Sequence, residues 1–169
     1  MAAKASLRDY QRDLVQRLRS TEGGRIASKL GVQVGDESWL VDLADAGEVI
    51  PVPEISPVPL TRPWFKGVAS IRGNLYSVVD FSAFLGGTAV TVGEQARLLL
   101  IGVRFRMGSA LLVDRSLGLC NPERLRSRAG AAGAPWLKAE HDDVGDGRLW
   151  KELDMAQLVR HPDFLVVAS

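Results

Sequence analysis

The sequence predicts a mostly β protein built from two similar small barrels of roughly five short strands each. Apolar and polar residues alternate with a period of two over several short segments, as in strands buried on one face. Glycine and proline separate these segments, which favours a sandwich or barrel over a parallel α/β sheet. A pair of landmarks also recurs about 71–72 residues apart, which indicates two units of the same kind.

The repeat consists of a strand, a turn and a second strand in the same order. Residues 30–34 read Leu-Gly-Val-Gln-Val, and residues 101–105 read Ile-Gly-Val-Arg-Phe. Residues 40–42 and 112–114 both read Leu-Val-Asp. Because two copies are too few for a solenoid, we expect two barrels, with their boundary near residues 86–97.

Residues 1–29 are predicted to be a helical extension outside the barrels. Within residues 6–19, apolar side chains recur at spacings of three and four, which places them on one face of a helix. These side chains are Leu7, Tyr10, Leu14 and Leu18. Gly23-Gly24 then breaks the pattern. We expect this helix to pack on its own domain; the alternative is a partner-binding helix.

The first half of the chain carries five predicted strands and one short helix. Strands are predicted at 30–34, 39–43, 48–52, 68–71 and 76–79. Five prolines between residues 51 and 63 exclude central sheet there, because proline lacks the ladder donor. A short helix is predicted at 81–85, with Asp80 placed to cap its first turn.

The second half repeats the strand signals and ends in a helix. Strands are predicted at 98–105, 110–113, 136–140 and 148–151, and a short helix at 152–160. Residues 127–134 are rich in alanine and glycine and are predicted to be a loop.

Residue types that carry catalysis or metal binding are sparse. His141, in a predicted acidic turn, and His161 are the two histidines, and neither has a second ligand at zinc spacing. Cys120 is the one cysteine. The sequence has no phosphate-binding glycine loop and no nucleophile-elbow motif. We therefore expect a binding protein without catalytic residues, metal or cofactor; an uncharacterised hydrolase is a distant alternative.

The charge distribution does not favour nucleic acid as a partner. Residues 1–30 carry a net charge of +4, from seven Lys/Arg and three Asp/Glu, whereas the remainder carries −3, from 14 and 17. No apolar stretch approaches the roughly 20 residues of a membrane span, and no secretory signal is evident. The expected location is the cytoplasm.

Residues 64–86 resemble the signature of the CheW-like domain family. The matching positions are Phe65, Gly67-Val68, Ile71-Arg72-Gly73, Val78-Val79-Asp80-Phe81 and Leu85-Gly86. Residues 39–50 and 111–118 resemble further segments of the family in the same order, and residues 149–158 resemble its closing helix. The resemblance covers about residues 30–165, which we therefore treat as one CheW-like domain.

This resemblance implies two SH3-like five-stranded barrels, an apolar groove between them and a short C-terminal helix. It also implies a non-enzymatic adaptor that couples the cytoplasmic tip of a methyl-accepting chemoreceptor to the regulatory domain of a CheA-type histidine kinase. Such an adaptor would be associated with receptor arrays at the inner membrane without inserting into it. The basic leader is similar to coupling proteins of pilus-type systems, which favours twitching motility over the alternative, flagellar chemotaxis.

The resemblance also suggests where partners bind. The expected contact or supporting residues are Glu48, Val49, Val68, Ile71, Arg72 and Gly73. Glu48 and Arg72 correspond to an acid and a base that lie close together in the family, although a surface ion pair of little energetic consequence is an alternative interpretation. The competing functional class is a ligand-binding or nucleic-acid-binding small barrel. Such barrels usually interleave exposed aromatic and basic residues, whereas the four tryptophans here are scattered.

Overall fold

The computed structural model describes residues 29–169, so the predicted helix at 6–19 lies outside the described residues. The strands in this range are β1 (Lys29–Val34), β2 (Glu37–Asp42), β3 (Ala46–Pro51), β4 (Phe65–Ile71), β5 (Asn74–Asp80), β6 (Arg97–Ile101), β7 (Ser109–Val113), β8 (Arg115–Cys120), β9 (Leu125–Ser127), β10 (Leu137–Asp143) and β11 (Leu149–Leu153). The helices are α1 (Phe81–Phe84), α2 (Met155–Arg160) and α3 (Pro162–Leu165), and the 3-10 turns are Val103–Phe105 and Pro122–Arg124. The predicted mostly β class and the short C-terminal helix are thus confirmed.

The strands form two mixed sheets with the same internal arrangement. The six-stranded sheet has the order β8-β1-β2-β11-β10-β9, and the five-stranded sheet has the order β3-β6-β7-β5-β4. In both sheets, counted from β8 and from β3, successive neighbouring strands pair in the same sequence of directions: antiparallel, antiparallel, parallel and antiparallel. The two sheets therefore share a five-strand unit, to which β9 adds one short strand.

A matching helix cap supports the correspondence between the two sheets. β5 leads into α1, where the Asp80 carboxylate accepts a hydrogen bond from the Ala83 N–H at 3.0 Å. β11 leads into α2 in the same way, where Asp154 accepts from the Gln157 N–H at 3.0 Å. The cap at Asp80 is the predicted one, whereas the last helix begins at Met155 rather than at residue 152, which belongs to β11.

The boundary between the two units differs from the one predicted near residues 86–97. Those residues connect β5 and α1 to β6, and both strands lie in the five-stranded sheet. The chain instead changes sheet between β2 and β3 and again between β7 and β8. The two Leu-Val-Asp landmarks fall at the ends of corresponding strands, β2 and β7. The other landmark does not mark matching strands, because residues 30–34 lie in β1 whereas only Ile101 of residues 101–105 lies in β6. The β6–β7 pair completes its sheet rather than beginning a new one.

The strand predicted at 98–105 also ends earlier, at Ile101. Its partner β3 begins at Ala46, directly opposite Ile101, so the ladder has no partner strand beyond that point. Residues 103–105 form a 3-10 turn instead. The predicted strands at 110–113, 136–140 and 148–151 correspond to β7, β10 and β11.

Two apolar cores follow from the alternation of side chains along β6 and β7. Leu99 and Leu111 point into the larger core, between the sheets and the C-terminal helices, whereas Leu98 and Leu112 point into a second core inside the five-stranded sheet. All four side chains are fully buried. The central strands are therefore apolar on both faces, while edge strands such as β3 and β8 retain exposed residues.

Candidate partner-binding site

The turn between β4 and β5 is a two-residue hairpin loop formed by Arg72 and Gly73. The flanking residues Ile71 and Asn74 are paired in register. Both loop residues have positive φ, 52° for Arg72 and 80° for Gly73, which is the pattern of the primed turns that match strand twist. Gly73 adopts this conformation without steric cost, and Arg72 is held in it by the hairpin. The turn projects the Arg72 side chain, which is 70% exposed.

Arg72 binds Glu48 of β3 through two parallel hydrogen bonds. The Nη1 and Nη2 atoms donate to the two carboxylate oxygens at 2.7 and 2.6 Å. This bidentate geometry is the favoured one between guanidinium and carboxylate groups. The bond from Arg72 lowers the pKa of Glu48, and the same interaction raises the pKa of Arg72. Both groups therefore remain charged at neutral pH, and the predicted proximity of acid and base is confirmed.

The ion pair joins the two edges of the five-stranded sheet. Glu48 lies on β3 and Arg72 follows β4, and these strands are the first and last of that sheet. A second connection is the bridge between Ser56 and Val68, with N···O distances of 2.8 and 2.9 Å in the two directions. In the described part of the chain, strand pairing alone leaves the sheet open, and these contacts bring its edges together.

Gly67 allows the proline-rich connection to approach β4. Its φ is 132°, and a Cβ at this position would overlap the carbonyl oxygen of Ser56. A larger residue would therefore displace the segment that follows β3. Gly67 is part of the motif that supports the family resemblance, and close backbone contact explains why a glycine is needed there.

The three predicted apolar site residues do not lie on one face. Val49 packs against the larger core, and Ile71, only 8% exposed, belongs to the second core. Val68 is half-buried and alternates with Ala69, whose side chain is in the second core, so Val68 faces away from that core. The structure therefore brings Glu48, Arg72 and Gly73 together at an exposed tip, with Val68 on the outer face of the same hairpin and Ile71 supporting it from inside.

A buried charge cluster in the six-stranded sheet was missed by sequence analysis. Glu152 on β11 binds Lys29 at 2.7 Å, Lys138 at 2.9 Å and the His141 Nε2 atom at 2.6 Å. Burial alone would raise the pKa of Glu152, but these hydrogen bonds lower it to about 2. Glu152 and His141 lie on strands β11 and β10, not in the helix and the turn that the sequence pattern predicts for them. The sequence signal that could have revealed this burial is the period-two alternation along β11. Glu152 lies two residues after Trp150, so both side chains point to the same buried face.

Within residues 29–169, no group of three or more His, Cys, Asp or Glu side chains is arranged to hold a metal ion. No helix in the same range has the length and apolar character required to cross a membrane. Cys120 is half-buried, and burial raises the pKa of its thiol, which disfavours the nucleophilic thiolate.

Comparison with known proteins identifies the family. The profile of the CheW-like domain matches residues 29–163, which is most of the chain. This chain belongs to the CheW-like domain family. The CheW-like match also begins at the first residue of β1 and ends in α3, so it includes all eleven described strands.

Several relatives are similar over part of their length. Protein PilI of Pseudomonas aeruginosa is 29% identical over 115 residues, which are 63% of this chain and 64% of the relative. The chemotaxis proteins CheW of Thermotoga maritima and Rhizobium meliloti are 30% and 31% identical, over 53% and 56% of this chain and 58% and 59% of theirs. The chain thus spans less than two thirds of the length of these curated relatives.

A solved structure shares the fold. The crystal structure of the scaffolding protein TtCheW from Thermoanaerobacter tengcongensis superposes with a TM-score of 0.63 over 76% of this chain and 89% of that one. The sequence identity is 15%, so this likeness concerns the fold.

Proposed function

We propose that this protein is a non-enzymatic signalling adaptor that couples a methyl-accepting chemoreceptor to a CheA-type histidine kinase in a pilus chemosensory system. The observation that carries the proposal is membership of the CheW-like family over residues 29–163. The similarity to a PilI protein supports the pilus branch, and the similarity to two CheW proteins keeps the flagellar branch as the second candidate.

The receptor contact is proposed to lie at the tip of the β4–β5 hairpin. The charged pair Glu48–Arg72 is exposed there, and Leu75, three residues beyond Arg72, exposes 70% of its surface. An exposed leucine beside a fixed ion pair offers apolar contact and a directional polar contact to one helix of a partner. Because the pair joins two sheet edges, a partner that binds it also contacts both edges at once.

Coupling then requires only binding. An adaptor that binds two receptor states with unequal affinity shifts the equilibrium between them, and reciprocal linkage transmits that shift to the bound kinase. This mechanism requires no catalytic group. It does require two surfaces, one for the receptor and one for the kinase, in a protein located in the cytoplasm at the receptor array.

The direct test is titration with a receptor-tip fragment and separate capture of the kinase regulatory domain. Arg72→Ala and Val68→Asp should each weaken receptor binding by roughly five- to thirty-fold, as expected for contacts at the centre of an interface. Arg126→Ala is the matched control, because Arg126 is an exposed arginine on β9 of the other sheet. Unchanged affinity in both test variants, each melting like the parent, would exclude this contact surface.

Two further measurements separate the alternatives. Deletion of the gene should abolish twitching responses and spare swimming if the pilus branch is correct, and the reverse result assigns the flagellar branch. An RNA or DNA gel shift at moderate salt, in a protein that captures neither receptor nor kinase, would instead support a nucleic-acid-binding barrel.

A further inference from the structure

An aromatic groove lies on the side of the molecule where the C-terminal residues pack. Phe84 is at its centre, with ring centroids 5.2 Å from Trp64, 5.0 Å from Trp136 and 5.6 Å from Phe164. The groove has a volume of about 380 Å³. Trp64, Phe84 and Trp136 remain only partly buried, so three aromatic rings that belong to the main core are also open to the surface.

The rim of this groove carries apolar residues beside two charged ones, Arg62 and Asp163. Val166 lines it, and Leu165 beside it is about half exposed. The C-terminal segment is held there by a bridge between Thr61 and Ala168, and Leu60, next to Thr61, is 84% exposed. Exposed apolar residues around an aromatic groove are typical of a docking surface rather than of ordinary surface.

The chain enters the described structure close to this groove. Lys29 is the first residue of β1, and Lys138 lies two residues after Trp136. Both ammonium groups bind the same oxygen of Glu152, at 2.7 and 2.9 Å. The start of β1 and the strand that follows Trp136 are therefore within two side-chain lengths of each other.

We propose that residues 6–19 of this chain dock as an amphipathic helix in the aromatic groove. Residues 20–28 connect that segment to Lys29, and nine residues span up to about 30 Å. The stripe of Leu7, Tyr10, Leu14 and Leu18 supplies the apolar face that the groove requires. An isolated helix of this length is marginal in water, so docking is what stabilises it. Because residues 6–19 are covalently linked to the domain, their effective concentration at the groove is high. A separate protein would have to exceed that concentration to displace them.

Tryptophan fluorescence of the full chain tests whether the stripe covers the groove. Trp39 and Trp150 are 3% and 5% exposed, so a change in emission reports mainly on Trp64 and Trp136. Leu14→Glu places a charge in the stripe and should shift the emission to longer wavelength and increase quenching by acrylamide. Gln16→Glu adds the same charge on the opposite helix face and should change neither signal. Equal spectra for both variants would overturn the proposal.

Disulfide trapping tests the location, in a background with Cys120→Ser. Leu14→Cys combined with Val166→Cys, on the groove rim, should form an intramolecular disulfide about tenfold faster than Leu14→Cys combined with Leu75→Cys. Leu75 is the control because it is accessible, with 70% of its surface exposed, and lies away from the groove. The groove end of β5 is at Asp80, whose N–H donates to the Trp64 carbonyl, and Leu75 is five residues from it along the strand. Equal rates, or disulfides mainly between two molecules, would refute intramolecular docking in this groove.

Discussion

Replacement of Asp80 by alanine should destabilise the fold far more than the corresponding change in the other sheet. Asp80 is fully buried, and each of its carboxylate oxygens accepts one backbone N–H. One bond caps α1 at Ala83 with a length of 3.0 Å, and the other holds the buried Val90 N–H at 2.8 Å. Asp154 has the same position before α2 but caps only Gln157. The two caps therefore differ by the buried hydrogen bond to Val90 and by an ion pair between Asp80 and Lys66, whose Nζ lies 3.7 Å from the same carboxylate oxygen.

The expected magnitude follows from counting these bonds. Loss of a helix cap costs about 1 kcal/mol, and a buried N–H left without a partner costs about 1–3 kcal/mol more. Asp80→Ala should therefore lower the free energy of unfolding by roughly 2–4 kcal/mol and the melting temperature by roughly 5–15 °C. Asp154→Ala should cost about 1 kcal/mol, which corresponds to a shift of about 2–4 °C.

Thermal melting and urea titration of both variants measure these effects. Asp80→Asn separates the two bonds, because an amide oxygen can still cap Ala83 while the amide nitrogen cannot accept from Val90. Its stability should lie between those of the parent and the alanine variant. Equal losses for Asp80→Ala and Asp154→Ala would refute the role assigned to the Val90 hydrogen bond.

Three further predictions concern other parts of the domain. Gly67→Ala should cost more than about 2 kcal/mol, because its new methyl group would displace Ser56, whereas Gly147→Ala, which has positive φ but open space, should cost about 1 kcal/mol in the same melting assay. The pKa of Glu152 is lowered from 4.5 to about 2, so its ionised form stabilises the fold above pH 4.5 and this contribution is lost as the pH falls towards 2. The Glu152→Gln variant should therefore have a lower free energy of unfolding at pH 7 than the parent, and it should lose less stability between pH 4.5 and 2. The same loss of stability in both proteins over this pH range would argue against the role of the cluster. Arg72→Ala should leave the melting temperature nearly unchanged while weakening receptor binding, since exposed ion pairs contribute little to stability; a large loss of stability would assign the pair a structural role instead.

The sequence determined the local elements wherever a short-range rule applied. Period-two alternation placed most of the strands, and Asp80 before an apolar run predicted the cap that the structure contains. Gly73 favours the turn between β4 and β5, because glycine adopts the positive φ of the second loop position without steric cost. Membership of the CheW-like family was also evident from the motif at residues 64–86.

The errors arose where the outcome depended on distant partners. The sequence repeat suggested two consecutive barrels, yet β1 and β2 pair with strands more than 75 residues away rather than with β3. The strand at 98–105 was predicted too long because its end is set by Ala46 on another strand. Local pattern carries no information on which strand will be the neighbour, and the neighbour decides where a ladder ends.

The sequence by itself thus determined the elements, the shared landmarks of two similar units and the residue types of the candidate site. Only the tertiary structure decided how the units exchange strands, which of the six site residues reach the surface, and that Ile71 supports the hairpin from inside while Arg72 binds Glu48 across 24 residues. The same is true of Glu152, which binds Lys29, 123 residues away, as well as Lys138 and His141 on the neighbouring strand β10. The physical reason is that burial and ion pairing depend on distances between segments, whereas strand alternation, caps and tight turns depend on residues that are adjacent in the chain.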